Sequence, residues 1–115
     1  MEYHDLNTLV ATEVMEYKRQ KFKGQDGFGT SNGLVFFSHF NPVNEIKDAW
    51  KVLEKLKDNK IKSKIEDTGN KYVVELRHEH AHGICENKKV EVAICNAALS
   101  VTRMLKTEGG TQEHG

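Results

Sequence analysis

Residues 60–77 alternate between apolar and polar side chains on either side of Asp67-Thr68-Gly69-Asn70, and no other stretch of this chain restricts its fold as much. Ile61 and Ile65 share one side of the first run, with Lys60, Lys62 and Lys64 on the other. Tyr72, Val74 and Leu76 alternate in the second run against Lys71, Val73, Glu75 and Arg77. A period of two is that of a strand, and the intervening four residues have turn chemistry, so the segment predicts an antiparallel hairpin with one apolar and one charged face. A third extended segment is expected from His78 to Cys85. The apolar face needs a cover, which the rest of the chain must supply as helices.

Three segments have the required periodicity. Leu6, Leu9, Val10, Val14 and Tyr17 predict a helix from Leu6 to Lys18, with Asp5 as its cap. After the break at Asn41-Pro42, Asn44 is placed to cap a helix carrying Ile46, Ala49, Trp50, Leu53 and Leu56 on one face, which makes Trp50 a core residue. Val90, Ala93, Ile94, Ala97, Ala98, Val101, Met104 and Leu105 form the longest stripe, which Gly109-Gly110 should end. Gly24, Gly27, Gly29 and Gly33 stand among polar residues and predict an exposed, mobile loop over residues 23–33, with a short strand at Leu34 to Phe37. All five Phe (22, 28, 36, 37 and 40) lie in or beside that loop. The expected fold class is α+β: one domain over residues 1–108, three helices packed on a short antiparallel sheet, then a flexible tail over 109–115.

The chain has 115 residues, 37% hydrophobic and 30% charged, enough for a single core and too few for a two-domain enzyme. Seventeen Lys plus Arg balance seventeen Asp plus Glu, so an anionic partner must be met by a local patch. The strongest is residues 51–64, with six lysines against Glu54 and Asp58. The absence of a long apolar run or a basic leader predicts a cytoplasmic protein with no membrane partner. Cys85 and Cys95 are too few for a disulfide framework and read as free thiols.

LNTLVATEVMEY, FNPVNEIKDAWKVLEKL with its Ala-Trp pair, and AICNAAL occur in the order of the phage ABA sandwich domain, which this chain resembles over most of its length. The resemblance implies phage origin (hence the cytoplasm of the host cell) and helices on both sides of a sheet. It implies no activity and brings no catalytic residues. The Gly-rich segment from Gly24 to Gly33 and HEHAHGIC depart from the family pattern. From Asn44 onward, the order of elements also resembles a double-stranded RNA-binding domain, with Lys88-Lys89 at the start of the last helix, although Glu91 stands at that family's first alanine position.

His78, His80 and His82 would share one face of a strand, and imidazole is a common zinc ligand. Adjacent members of the set could share a metal, completed by Cys85, His39 or His4, but the chain has neither C-x-x-C nor H-E-x-x-H spacing. The glycines match no phosphate-loop pattern, and no nucleophile-base pair is legible. The expected function is therefore non-enzymatic: a phage protein that sequesters a host molecule, foremost an immune nucleotide signal. Lys62, Lys64, Arg77, Lys88 and Lys89 would meet phosphates and Phe28 would cover the base. A nucleic-acid-binding accessory protein is the alternative, a zinc protein built on the histidines a third. No cofactor is required by the first two. A homo-oligomer would suit the first, because a small monomer has little concave surface.

Overall fold

The computed structural model describes the backbone of residues 3–30, 33–36 and 40–114, and the side chains of residues 6–21, 23–24, 27–29 and 40–107. In chain order, α1 (Tyr3–Leu9) continues as a π-helical segment (Val10–Val14), followed by β1 (Lys18–Phe22), β2 (Gln25–Thr30), β3 (Gly33–Phe36), α2 (Ile46–Asp58), β4 (Lys62–Asp67), β5 (Tyr72–His78), β6 (Ala81–Asn87) and α3 (Val90–His114). The class is α+β, with two three-stranded antiparallel sheets in place of the single sheet expected.

α3 is the centre of the fold because its first half is apolar nearly all round. Val92, Ala93, Ile94, Cys95, Ala97, Ala98, Leu99 and Val101 are all buried. One side packs on β5 and β6, the other on α2 and the π-helical segment. Close approach to the sheet depends on Gly83 in β6, where a Cβ would lie 2.8 Å from Val101 Cγ2. Burial of Val74 and Leu76 on β5 confirms the predicted apolar face. The other face, with Lys62, Lys64, Glu75, Arg77, His82 and Ile84, is open to solvent, so described helices cover the β4–β6 sheet on one side only.

The first helix starts at Tyr3, which places Asp5 inside it rather than at its cap, and it ends near Val14 instead of Lys18. Its last turn widens: Met15 N–H donates to Val10 O at 3.0 Å and Tyr17 N–H to Ala11 O at 2.9 Å. The Gly-rich segment is not a loop. Phe22 and Gln25 close a hairpin across Lys23-Gly24, both with positive φ (52° and 82°), as a tight two-residue turn requires, and glycine takes the second position without strain. β3 matches the short strand expected there, while Phe37 lies outside the described residues. Phe28, expected to reach a ligand, is 2% exposed. Its ring centroid lies 6.1 Å from that of Tyr17 and 6.3 Å from that of Phe40, which are themselves 5.5 Å apart, and the triad joins the β1–β3 sheet to the core.

Asn44 does not cap α2. Glu45 takes the cap position without a side-chain hydrogen bond, and buried Asp48 in the first turn instead accepts from Asn41 N–H at 2.9 Å. Asn7 binds the same segment by donating to Asn41 Oδ1 (2.7 Å) and accepting from Val43 N–H (3.1 Å). The buried face of α2 is Ala49, Val52, Leu53 and Leu56, not the stripe that included Ile46 and Trp50. Trp50 lies about 100° round the helix from Ala49 and is 51% exposed. At the other end of the chain, α3 continues through Gly109-Gly110 to His114.

Candidate functional site

β4 is an edge strand of its sheet, and its outer face gathers the cations that the alternation predicts. Lys62 stands opposite Arg77 and Lys64 opposite Glu75; with Ser63 they surround a shallow groove of about 280 Å³. Arg77 Nη2 donates to Glu75 Oε2 at 3.1 Å, and His82 Nε2 lies 2.5 Å from the same oxygen. These two hydrogen bonds, that of His82 foremost, hold the Glu75 carboxyl below its ordinary pKa. Arg77 is thereby partly neutralised, whereas Lys62 and Lys64 make no ion pair among the described residues.

The same lysine, Lys62, also borders a larger groove of about 930 Å³ between α2 and the start of β4. Trp50, Leu53 and Ile61 are its apolar part, and Glu54, Lys57, Lys60 and Lys62 its charged part. The chain enters this groove through a helix stop built without glycine. Lys60 N–H donates to Lys57 O (3.0 Å) and Ile61 N–H to Leu56 O (2.9 Å), the paired bonds of a Schellman motif, with Ile61 and Leu56 buried against the core. That motif needs a left-handed residue after the cap, where glycine is usual, yet Lys60 holds φ at 65°. Lys62 and Lys64 then project to one side of β4 about 7 Å apart at strand rise, and Lys60 stands just before them at the helix stop.

The other candidates are dispersed. Lys88 and Lys89 sit beside Asn70, Lys71 and Glu86 at the opposite end of the sheet. The five-residue separation of Tyr72 and Arg77 on β5 puts them about 17 Å from the Lys62 and Arg77 pair. Lys89 is occupied, donating through Nζ to Asn44 Oδ1 at 2.5 Å. Phe28, buried in its aromatic triad, reaches neither groove.

The three histidines do not form the expected row either, because a hairpin turn at Glu79-His80 interrupts the extended segment. His78 pairs with Ala81 on the covered side of the sheet register, His82 pairs with Arg77 on the open side, and His80 lies in the turn, where its N–H donates to His78 Nδ1 at 3.0 Å. No three His, Cys, Asp or Glu are disposed to hold a metal ion among the described residues. His4 and His39 lie outside the described side chains. Burial pushes the Cys95 thiol up to about 12, assisted by the negative charge of Glu91, and burial also raises that of Cys85. Neither has the depressed pKa of a nucleophile.

Trp50 is the site residue that the sequence did not disclose, while Lys60 was visible in the lysine-rich segment but not among the residues expected to meet phosphates. The five-residue stripe assigned to α2 was wider than the face α3 can cover. Counting Val52 in and centring the arc on Ala49, Val52, Leu53 and Leu56 leaves Trp50 at its flank. No described helix is long and apolar enough to cross a membrane.

No curated protein matches the chain. Among solved structures, a phage protein from Bacillus cereus ATCC 14579 is similar in fold, with a TM-score of 0.64 at 22% identity over 88% of this chain and 92% of that one. The family model of the phage ABA sandwich domain matches residues 8–99, a span that includes both the Gly-rich segment and HEHAHGIC. With the π-helical segment, the two sheets and α2 inside that match, and only the end of α1 and the first part of α3 reaching into it, the chain belongs to the phage ABA sandwich domain family.

Proposed function

We propose that this phage protein is a non-enzymatic binder that sequesters a phosphate-bearing host molecule, foremost an immune nucleotide signal, on the β4 edge. The observation that carries the reading is the row of Lys60, Lys62 and Lys64, none of them in an ion pair among the described residues, shared between two adjoining grooves. A phosphate placed there gains charge-assisted hydrogen bonds without displacing an existing salt bridge. The family membership supports a phage role, and neither groove holds a nucleophile-base pair or a carboxylate dyad that would act on the ligand. Both grooves are open, so a second copy closing over the β4 edge would improve retention, in keeping with a homo-oligomer.

Calorimetry against cyclic di- and trinucleotides and ADP-ribose derivatives tests the reading. Saturable heat with one of them, weakened roughly tenfold by each of K62E and K64E, is expected. Absence of heat with every member of the panel would remove the nucleotide from the proposal. The open shape of the grooves also favours a second reading, a nucleic-acid accessory role in which the row follows a single strand. Three phosphate contacts then predict a log-affinity against log-salt slope of about −2, whatever the sequence. An unshifted gel at low salt argues against it.

A further inference from the structure

We infer that the groove floored by Trp50 is a base-stacking subsite, so that the ligand of this edge is a nucleoside phosphate rather than a simple phosphate or polyphosphate. The inference rests on the preceding reading for its phosphate contacts, but its own ground is separate. Trp50 is a large apolar side chain left half in water; of the other large aliphatic residues of α2, Val52, Leu53 and Leu56 are buried, and Ile46, exposed like Trp50, does not line the groove. The Trp50 indole lines the groove, and beside it lie Leu53 and Ile61, which complete an apolar wall. An apolar face alone would suit many occupants; the charge around it is selective. Lys57, Lys60 and Lys62 border the same groove and make no ion pair among the described residues.

A matching ligand joins a flat, weakly polar ring to several negative charges, which is the chemistry of a nucleoside phosphate. Stacking on an indole needs no particular base, because every base has a π-face. Glu54, the one carboxylate of the groove, is an acceptor for an amino group on the base edge. Lys62 borders both grooves, so phosphates leaving the Trp50 side pass directly onto the outer face at Lys64. The left-handed Lys60 brings a cation to the mouth of the groove at a position where glycine would be easier to accommodate.

Trp50 is the only tryptophan of the chain, so its fluorescence reports this groove alone. The test titrates wild type, W50F and W50A with ATP, adenosine and inorganic tripolyphosphate, reading tryptophan emission for the wild type and calorimetry for all three proteins. Stacking predicts saturable quenching by ATP and none by tripolyphosphate. It also predicts ATP affinity that falls roughly tenfold in W50A and is largely kept in W50F, with tripolyphosphate affinity unchanged throughout. If ATP and tripolyphosphate bind with equal affinity, without quenching and indifferent to W50A, stacking is refuted while the phosphate reading stands. If tripolyphosphate fails to bind, the lysine row is refuted as a phosphate site. Stacking then survives only if ATP or adenosine still quenches saturably and W50A abolishes it. Sedimentation of wild type and W50A checks the competing occupant: a dimer that W50A converts to monomer shows that a second copy covers Trp50 and overturns the inference.

Discussion

Replacing Lys60 with glycine should make this protein more stable and a poorer binder, a pairing that separates the fold's interest in residue 60 from the site's. Lys60 occupies the left-handed position of the α2 stop at φ 65°, held by the hydrogen bonds Lys60 to Lys57 and Ile61 to Leu56. A side chain in that region costs about 1–2 kcal/mol, and glycine removes the cost while adding about 0.5–1 kcal/mol of freedom to the unfolded chain. The balance for K60G is a gain of roughly 0.5–1 kcal/mol, or about 2–5 °C in melting temperature for a domain of this size. K60A is the matched control, since it keeps the left-handed Cβ and removes only the ammonium group. Urea and thermal denaturation, followed by circular dichroism, should place K60G above wild type and K60A close to it. Calorimetry should show the two variants losing affinity for a phosphate-bearing ligand alike. The reasoning fails if K60G is no more stable than K60A, because residue 60 is then not strained, or if both variants bind as wild type does.

Three further outcomes follow from the packing. Gly83→Ala places a methyl group 2.8 Å from Val101 Cγ2 and should cost about 1–3 kcal/mol; in the double variant with V101A the penalties should be clearly less than additive, and strict additivity in urea denaturation would show that the two positions do not touch. Glu13 receives Arg103 Nε and Nη2, both at 2.8 Å, and that hydrogen-bonded pairing, ahead of the opposing effect of burial, lowers its pKa. Its stabilisation is therefore complete above the ordinary glutamate value and lost as pH falls through the lowered one. E13Q should cost about 0.5–1 kcal/mol at pH 7 and nothing near pH 2, and an equal cost at both pH values would contradict the assignment. In a thiol-reactivity assay at pH 8, half-buried Cys85 should label first and Cys95, held near 12, only as the protein unfolds; early labelling of Cys95 would contradict its burial.

The hairpin, the buried face of β5 and the central helix were legible in the sequence because each follows from a simple periodicity. Val74 and Leu76 are buried where alternation put them, and Ala93, Ile94, Ala97, Ala98 and Val101 of the α3 stripe are in the core, with Val90 and Leu105 partly buried and Met104 exposed. β1 and β2, and with them the sheet that β3 joins, were missed because glycine and polar side chains hide strand alternation. The signal available was local, a Lys23-Gly24 pair between Lys18–Phe22 and Gln25–Thr30 at the spacing of a two-residue hairpin. Trp50 was misplaced because a helix wheel shows which side is apolar but not how much of it a neighbour covers. The histidine row failed for a topological reason: a turn at Glu79-His80 sends successive histidines to different sides, which residue spacing alone does not reveal. Lys62, Lys64 and Arg77 were placed together correctly by the hairpin register. Lys88 and Lys89 were joined to them only by charge, and the length of β5 keeps them apart.

Native mass spectrometry of the untagged protein taken directly from phage-infected, defence-carrying cells examines binding at the β4 edge without a choice of ligand. A discrete added mass of a nucleotide is predicted, present in wild type and lost from K62E/K64E, together with the number of copies that close around it. A protein that carries no added mass, a zinc-sized addition only, or a nucleotide retained undiminished by K62E/K64E would contradict the assignment of that edge as the binding site.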